Sequence, residues 1–369
     1  MIPNAIDYRI RPNESLIIKA FAIIAMLVHH LFYDHPEFGN TVVNIGMSGK
    51  ICVTLFVFAS GYGMTASFPK DIKEDFHLIK PLFFVLCKRY AKFYLNYWFV
   101  FFIFVPIGIF CFGRSLESAY GEKANLVNSF ISDIIGLQSI NSYNVTWWFN
   151  VIILSLWLLF PFIFLLNRNI ITSICLLIFL ILNPGDILYA LHFLAPGLPD
   201  YIIPFTLSVF AAFHISTINK ILNAFHPYVV CAISLVIASI LLFLRGFPVF
   251  ESFTSFRVDP FAMVFVVLAV ISLCRVTGRK FAFMQYVGKH SMNMYLTHTF
   301  IFGYFFHDFI YGFKHPVLIF LVLFMTSLLL SICIEFSKRR IGFYKLQGKV
   351  VETINRIGCL VPKEHDNAH

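Results

Sequence analysis

"IKAFAIIAMLVHHLFYDH", residues 18–35, is the stretch on which the fold turns. With the residues just before it, it reads as an apolar helix of spanning length, since crossing a bilayer takes about 20 mostly apolar residues. It has no small-residue cleavage site of the A-x-A kind, so it is expected to remain as a first span rather than be removed as a leader. Yet it carries Lys19 near its start and His29 and His30 near its end. Ionisable groups inside a span are costly and face a protein interior or a wet cavity.

The rest of the chain continues the pattern. Its 369 residues are 59% hydrophobic and 13% charged, against roughly 25% charged in soluble domains, and the mean hydropathy is +0.80. This is an all-α, polytopic membrane protein by composition. The net charge of +9 does not indicate nucleic acid, because the basic residues fall between apolar segments. The eight cysteines are scattered without a C-x-x-C pair and read as small packing residues, with neither a disulfide framework nor a metal site. No H-E-x-x-H or similar ligand spacing occurs, so no metal is implied.

About ten transmembrane helices are expected, near 16–33, 51–68, 94–113, 147–166, 170–183, 201–217, 228–245, 260–275, 292–311 and 316–336. The stretch 184–200 is too broken by Pro and Gly to span and reads as a re-entrant or interfacial piece. With both termini cytoplasmic, 22 of the 28 Lys and Arg fall inside and 6 outside, the asymmetry the positive-inside rule demands. Trp147 and Trp148 then open the fourth span at the outer surface, where aromatic belts sit.

Lys19 and His30 are eleven residues apart, so they lie about 20° apart around the helix and about 16 Å apart along it. They share a face, and Asp34 follows His30 by one turn on nearly the same face, whereas His29 is turned by about 100°. Taken singly, Lys19 is a snorkelling anchor at the inner interface or part of a cavity, and His30 is a helix-packing donor or a reactive base. Together they make a polar stripe from the cytoplasmic side to an outer-half site. Ser291, Tyr295 and His298 make a second stripe at i, i+4, i+7. The run "FVFASGYGM" fails as a nucleophile elbow, because Phe58 stands where G-x-S-x-G needs glycine. Ser60 there is a close-packing position or a cavity residue. Lys88, Arg89 and Lys92 are an inner charge collar or a phosphate clamp.

In order, these pieces resemble the membrane-bound acyltransferase family 3: Lys19 and His30 in the first span, "LFVFASGYGM" in the second, "KRYAKFYLNYW" opening the third, "WWFNVIILSLWLLFP" as the fourth and "VGKHSMNMYLTH" at the ninth. The correspondence runs from about residue 13 to 336. It implies one transmembrane domain over 1–345 and a cytoplasmic tail over 346–369. It implies transfer of an acyl group, most often acetyl, from cytoplasmic acyl-CoA to a hydroxyl of an extracytoplasmic glycan or lipid-linked sugar, in a bacterial cytoplasmic membrane. Acyl-CoA is then a co-substrate, with no tightly bound cofactor, and the partners are the bilayer and a surface polysaccharide or lipid-linked acceptor. By the same resemblance His30 matches the family's essential histidine and Lys19 stands where the family has an arginine. Leu16 replaces the usual acidic residue three before it, with Glu14 nearby, and the usual fourth-span Glu is absent from Asn150–Leu154.

The expected mechanism has His30 as general base, oriented by Asp34 or His29, since a neutral imidazole titrates near operating pH. A covalent acyl-histidine relay is the variant. Lys88, Arg89 and Lys92 are expected to hold CoA phosphates, and Ser60, Trp148, Tyr295 and His298 to line the cavity. A transporter of a small acyl metabolite also fits many spans with intramembrane ionisables, although no inverted repeat is visible. A non-catalytic scaffold has no use for the Lys19–His30 face.

Overall fold

The computed structural model describes residues 5–68, 79–138, 141–182, 191–247 and 258–360. Lys70, Lys73, Arg257, Lys363 and residues 184–190 of the stretch 184–200 read as re-entrant or interfacial lie outside them. The described residues are helical, with no strand among them. The helices are α1 (Pro12–Phe32), α2 (Asn40–Ser48), α3 (Ile51–Ala66), α4 (Ile79–Phe112), α5 (Leu116–Tyr120), α6 (Leu126–Ile134), α7 (Trp148–Leu166), α8 (Ile170–Leu182), α9 (Leu198–Phe213), α10 (Ile215–Leu222), α11 (Pro227–Arg245) and α12 (Asp259–Thr277). They continue with α13 (Ala282–Thr299), which runs into a π-turn at Phe300–Phe305, then α14 (His307–Tyr311), α15 (Pro316–Arg340) and α16 (Phe343–Leu360).

Among the described residues seven helical segments are long and apolar enough to cross a membrane, or eight if the α9–α10 pair, bent by 81°, counts as one. This is a multi-pass membrane protein. The expected boundaries shift in three places. The second span reaches back to Asn40, because α2 and α3 join into one stretch of 27 residues. The third begins at Lys80, because the basic cluster is helical rather than a flanking loop. The α13 segment falls outside the seven, because Lys289, His290, Asn293 and His298 lower its hydropathy. The expected 346–369 tail begins inside α16, and 361–369 lie outside the described residues.

Helix α1 sits at the centre and packs chiefly on α13, with α2, α3, α12 and α15 around it. Its contact with α13 depends on Gly288, where a Cβ would run into the carbonyl of Leu16. At Gly61 of α3 an added Cβ would run into side chains of α9, the Ser208 hydroxyl and the Phe205 ring. Such backbone approach is how membrane helices gain packing contacts that lipid cannot offer. At the N-terminus Arg11 N–H donates to Glu14 Oε2 at 2.8 Å, and the same carboxylate pairs with Arg275 of α12, fixing α1 to its neighbour. At the far end of the bundle Arg245 of α11 and Asp259 of α12 form a buried ion pair, 2.8 Å long.

The segment between α4 and α7 is not a freely solvated loop. Three α4 side chains cap successive carbonyls at the end of α6: Tyr97 to Asp133 (2.6 Å), Trp98 to Ile134 (2.8 Å) and Tyr94 to Ile135 (2.8 Å). A helix end needs such partners where water is scarce. The Asp133 carboxylate is itself buried and accepts from Tyr120 Oη at 2.9 Å and Tyr143 N–H at 2.6 Å, so this acid is committed to the fold.

Replacing Gly288 by alanine is expected to lower stability in detergent by about 1–3 kcal/mol, the usual cost of overpacking. Gly63→Ala, where nothing stands within 4 Å of the added carbon, is the matched control in the same thermal melt.

Candidate active site

Two cavities lie on either side of one aromatic partition. The one at the Lys19 end of α1, called the inner chamber from its place along that helix, has about 440 Å³ and is lined by Lys19, Arg89, Lys92 and Lys289 among others. The one at the His30 end, called the outer chamber, has about 320 Å³ and is lined by His29, His30, Lys50, Thr146 and Trp148 among others. Phe56, Phe149 and Tyr295 belong to both walls. Phe149 stands edge-on to Tyr295, with ring centres 5.7 Å apart, and Phe56 lies 6.4 Å from Phe149. The shared face of α1 therefore serves both chambers, Lys19 in one and His30 in the other.

The inner chamber is cationic and unneutralised. Among the described residues no carboxylate pairs with Lys19, Arg89, Lys92 or Lys289. The one acid in its wall, Glu335, is already engaged. It accepts from Lys338 Nζ at 3.0 Å, from Asn293 Nδ2 at 2.7 Å and from the Tyr344 hydroxyl. That network ties α15 and α13 to α16, which adds Phe343, Tyr344 and Gln347 to the chamber wall. Arg89 is held in place: its Nη2 donates to Ser60 Oγ at 3.1 Å, and its guanidinium lies 5.1 Å from the centre of the Trp157 ring. Trp157 Nε1 donates to the same Ser60 oxygen at 2.8 Å. Ser60 is thus an acceptor that orients a cation, with no base beside it.

In the outer chamber the His30 imidazole makes no hydrogen bond with any described residue, which leaves its ring nitrogens available to a ligand. Its ring centre is 5.2 Å from that of His298, and Phe302 stacks at 6.4 Å. His298 is fully buried behind it and lines neither chamber. Its Nδ1 donates to the Tyr295 carbonyl at 2.9 Å. His29 lines the chamber, but its Nδ1 is turned to the Gly46 carbonyl at 2.9 Å and its ring stacks on Tyr33. Asp34 is exposed past the end of α1 and lines neither cavity. Neither of these two hydrogen-bonds to His30.

The structure thus gathers Lys19, Ser60, Arg89, Lys92 and Tyr295 on the inner chamber and His30, Trp148 and Tyr295 on the outer. Lys88, half-buried on α4, lines neither. Lys289, Trp157, Asn96 and Asn150 join the inner wall without having been singled out by sequence. Lys289 had a signal, a lysine two residues ahead of the Ser291–Tyr295–His298 stripe. Asn150 stands in the stretch that lacks the expected Glu, and its Oδ1 lies 3.1 Å from the Tyr295 hydroxyl.

A family model described as an acyltransferase domain matches residues 15–336. No curated protein and no solved structure matches the chain. The match ends before α16, so the Phe343, Tyr344 and Gln347 wall lies beyond it.

Ser60→Ala removes the acceptor shared by Arg89 and Trp157. Leaving buried donors unmade costs about 1–3 kcal/mol, and a denaturant or thermal titration in detergent is expected to register a loss of that size.

Proposed function

The chain belongs to this acyltransferase family, and from that premise we propose that it moves an acyl group, acetyl in the first instance, from cytoplasmic acyl-CoA to a hydroxyl of an extracytoplasmic glycan or lipid-linked sugar. The observation that carries the reading is the pair of chambers meeting at Phe56, Phe149 and Tyr295, cationic on one side and bearing His30 on the other. Four uncompensated cations suit the phosphates of a nucleotide thioester, Arg89 with a planar fork and the lysines as point charges. The thioester end then points at the partition, and the acceptor enters the outer chamber.

The step is a direct transfer. The acceptor oxygen attacks the thioester carbonyl carbon while His30 takes the hydroxyl proton. The carbon–sulfur bond breaks, and the departing thiolate recovers the proton from His30. General-base catalysis of this kind is worth about 10²–10⁴-fold, and the geometry of the two chambers supplies positioning. Lys19 belongs to the donor side in this scheme.

The reading keeps ten crossings with both termini in the cytoplasm. The seven long segments, the bent α9–α10 pair, the short α8 and the α13 helix with its π-turn make that number. The excess of Lys and Arg supports a cytoplasmic position for the cationic chamber, with α16 as a cytoplasmic helix of a protein in a bacterial cytoplasmic membrane.

Membranes carrying the wild type are expected to transfer label from radiolabelled acetyl-CoA to a surface glycan and release CoA. His30→Ala at equal expression should lower the rate by about 10²–10⁴-fold. Full transfer by that variant would exclude His30 as the base. Arg89→Ala is expected to raise the KM for acetyl-CoA more than it lowers kcat.

A further inference from the structure

The first turns of α16 bring an aromatic ring and an amide to the inner chamber, and packing leaves both open. Tyr344 and Gln347 line its wall, and at i, i+3 they stand one above the other on one side of the helix. Phe343 fixes the start of that helix. It is buried, edge-on to Phe99 of α4 at 5.6 Å, and its ring centre is 5.4 Å from Lys338 Nζ. Tyr344 is held at its tip, where its hydroxyl donates to Glu335. Its ring is nevertheless 44% exposed, and among the described rings only Phe343 meets it, at 88° rather than face to face. The Gln347 amide is half-buried and makes no hydrogen bond with any described residue. A pinned ring with a bare face, beside an amide with both ends free, offers a flat heteroaromatic ligand a stacking surface and a donor–acceptor edge.

We propose that α16 reads the adenine of the acyl donor: the base stacks on Tyr344, and the Gln347 amide pairs with its N6 and N7 edge. The inference rests on the acyl-CoA reading of the inner chamber and deepens it, because the nucleotide becomes part of what is recognised. In the edge pairing Gln347 Oε1 accepts the exocyclic N6–H, and Nε2–H donates to N7, the bidentate match of a primary amide to adenine. Charge supports the placement. Lys92 and Lys289 are exposed in the same wall, so phosphates at these lysines leave the nucleotide on the solvent side of the chamber and send the thioester toward the partition. The family match ends at residue 336, so neither Tyr344 nor Gln347 belongs to the matched domain. Donor choice is then divided: the helices before α16 hold the phosphates and the acyl arm, and α16 holds the base. A thioester on the pantetheine arm of a carrier protein has no adenine and gains nothing from α16.

Titration calorimetry on the purified full chain in detergent tests this with three ligands. They are CoA; 1,N6-etheno-CoA, whose added ring removes the N6–H donors; and 4′-phosphopantetheine, which has no adenine. Wild type is expected to bind CoA at least about fivefold more tightly than etheno-CoA, the lower end of what a bidentate contact discriminates. Gln347→Ala should bring the two affinities together, whereas damage to the fold would weaken both and leave their ratio as it was. Tyr344→Leu should weaken CoA and etheno-CoA by about fivefold or more and phosphopantetheine by much less. Equal binding of CoA and etheno-CoA by wild type overturns the inference. So does a ratio that survives Gln347→Ala, or a Tyr344→Leu variant that loses phosphopantetheine as much as CoA. Wild type that binds none of the three overturns the acyl-CoA reading itself, which is a separate result.

Discussion

The close approach of α1 to α13 is the constraint from which the site follows. Gly288 lets the backbone of one helix touch Leu16 of the other. With that contact made, the Lys19–His30 face of α1 and the Tyr295–His298 face of α13 point into common space. His30 comes to rest on His298, and Tyr295 closes the partition with Phe56 and Phe149. A side chain at residue 288 would push the two faces apart and open the partition. Lipid offers apolar side chains no advantage over one another, so small residues and matched polar groups must hold such a bundle.

Charge is distributed by the same logic. Glu14 with Arg275 and Asp259 with Arg245 are ion pairs that join helices, and Glu335 pairs with Lys338 within α15. Breaking a buried pair by removing one partner leaves an uncompensated charge, which is strongly unfavourable. Lys19, Arg89, Lys92 and Lys289 stand apart from this pattern, since no described carboxylate pairs with them. Lys19 and Arg89 are partly buried and unpaired beside the cavity, whereas Lys92 and Lys289 are exposed on its wall, and covered ionisable groups in a membrane bundle usually face a cavity rather than lipid.

Much of this was legible before any coordinates. The multi-pass character, the helical class and the family follow from hydropathy and from the order of a few motifs. The Lys19–His30 face follows from helical geometry alone, because eleven residues return to nearly the same azimuth. Other features rest on contacts between distant segments. No local pattern announces that Phe56, Phe149 and Tyr295, from three different helices, meet as one wall. The role of Ser60 depends on Arg89 and Trp157, 29 and 97 residues away. The end of α6 is held by Tyr94, Tyr97 and Trp98 of α4, some 36 to 41 residues away in sequence. Asp34 and His29 share the neighbourhood of His30 in sequence, but the end of the helix carries the first outward and the Gly46 carbonyl holds the second.

The central claim is that donor and acceptor approach the partition from opposite faces of the membrane. Sealed vesicles of defined orientation test it most directly, because acetyl-CoA does not cross the bilayer. With radiolabelled acetyl-CoA added outside, inside-out vesicles should label an acceptor protected within the lumen, and right-side-out vesicles should label none. Equal labelling in both orientations, or labelling confined to right-side-out vesicles, would contradict the account.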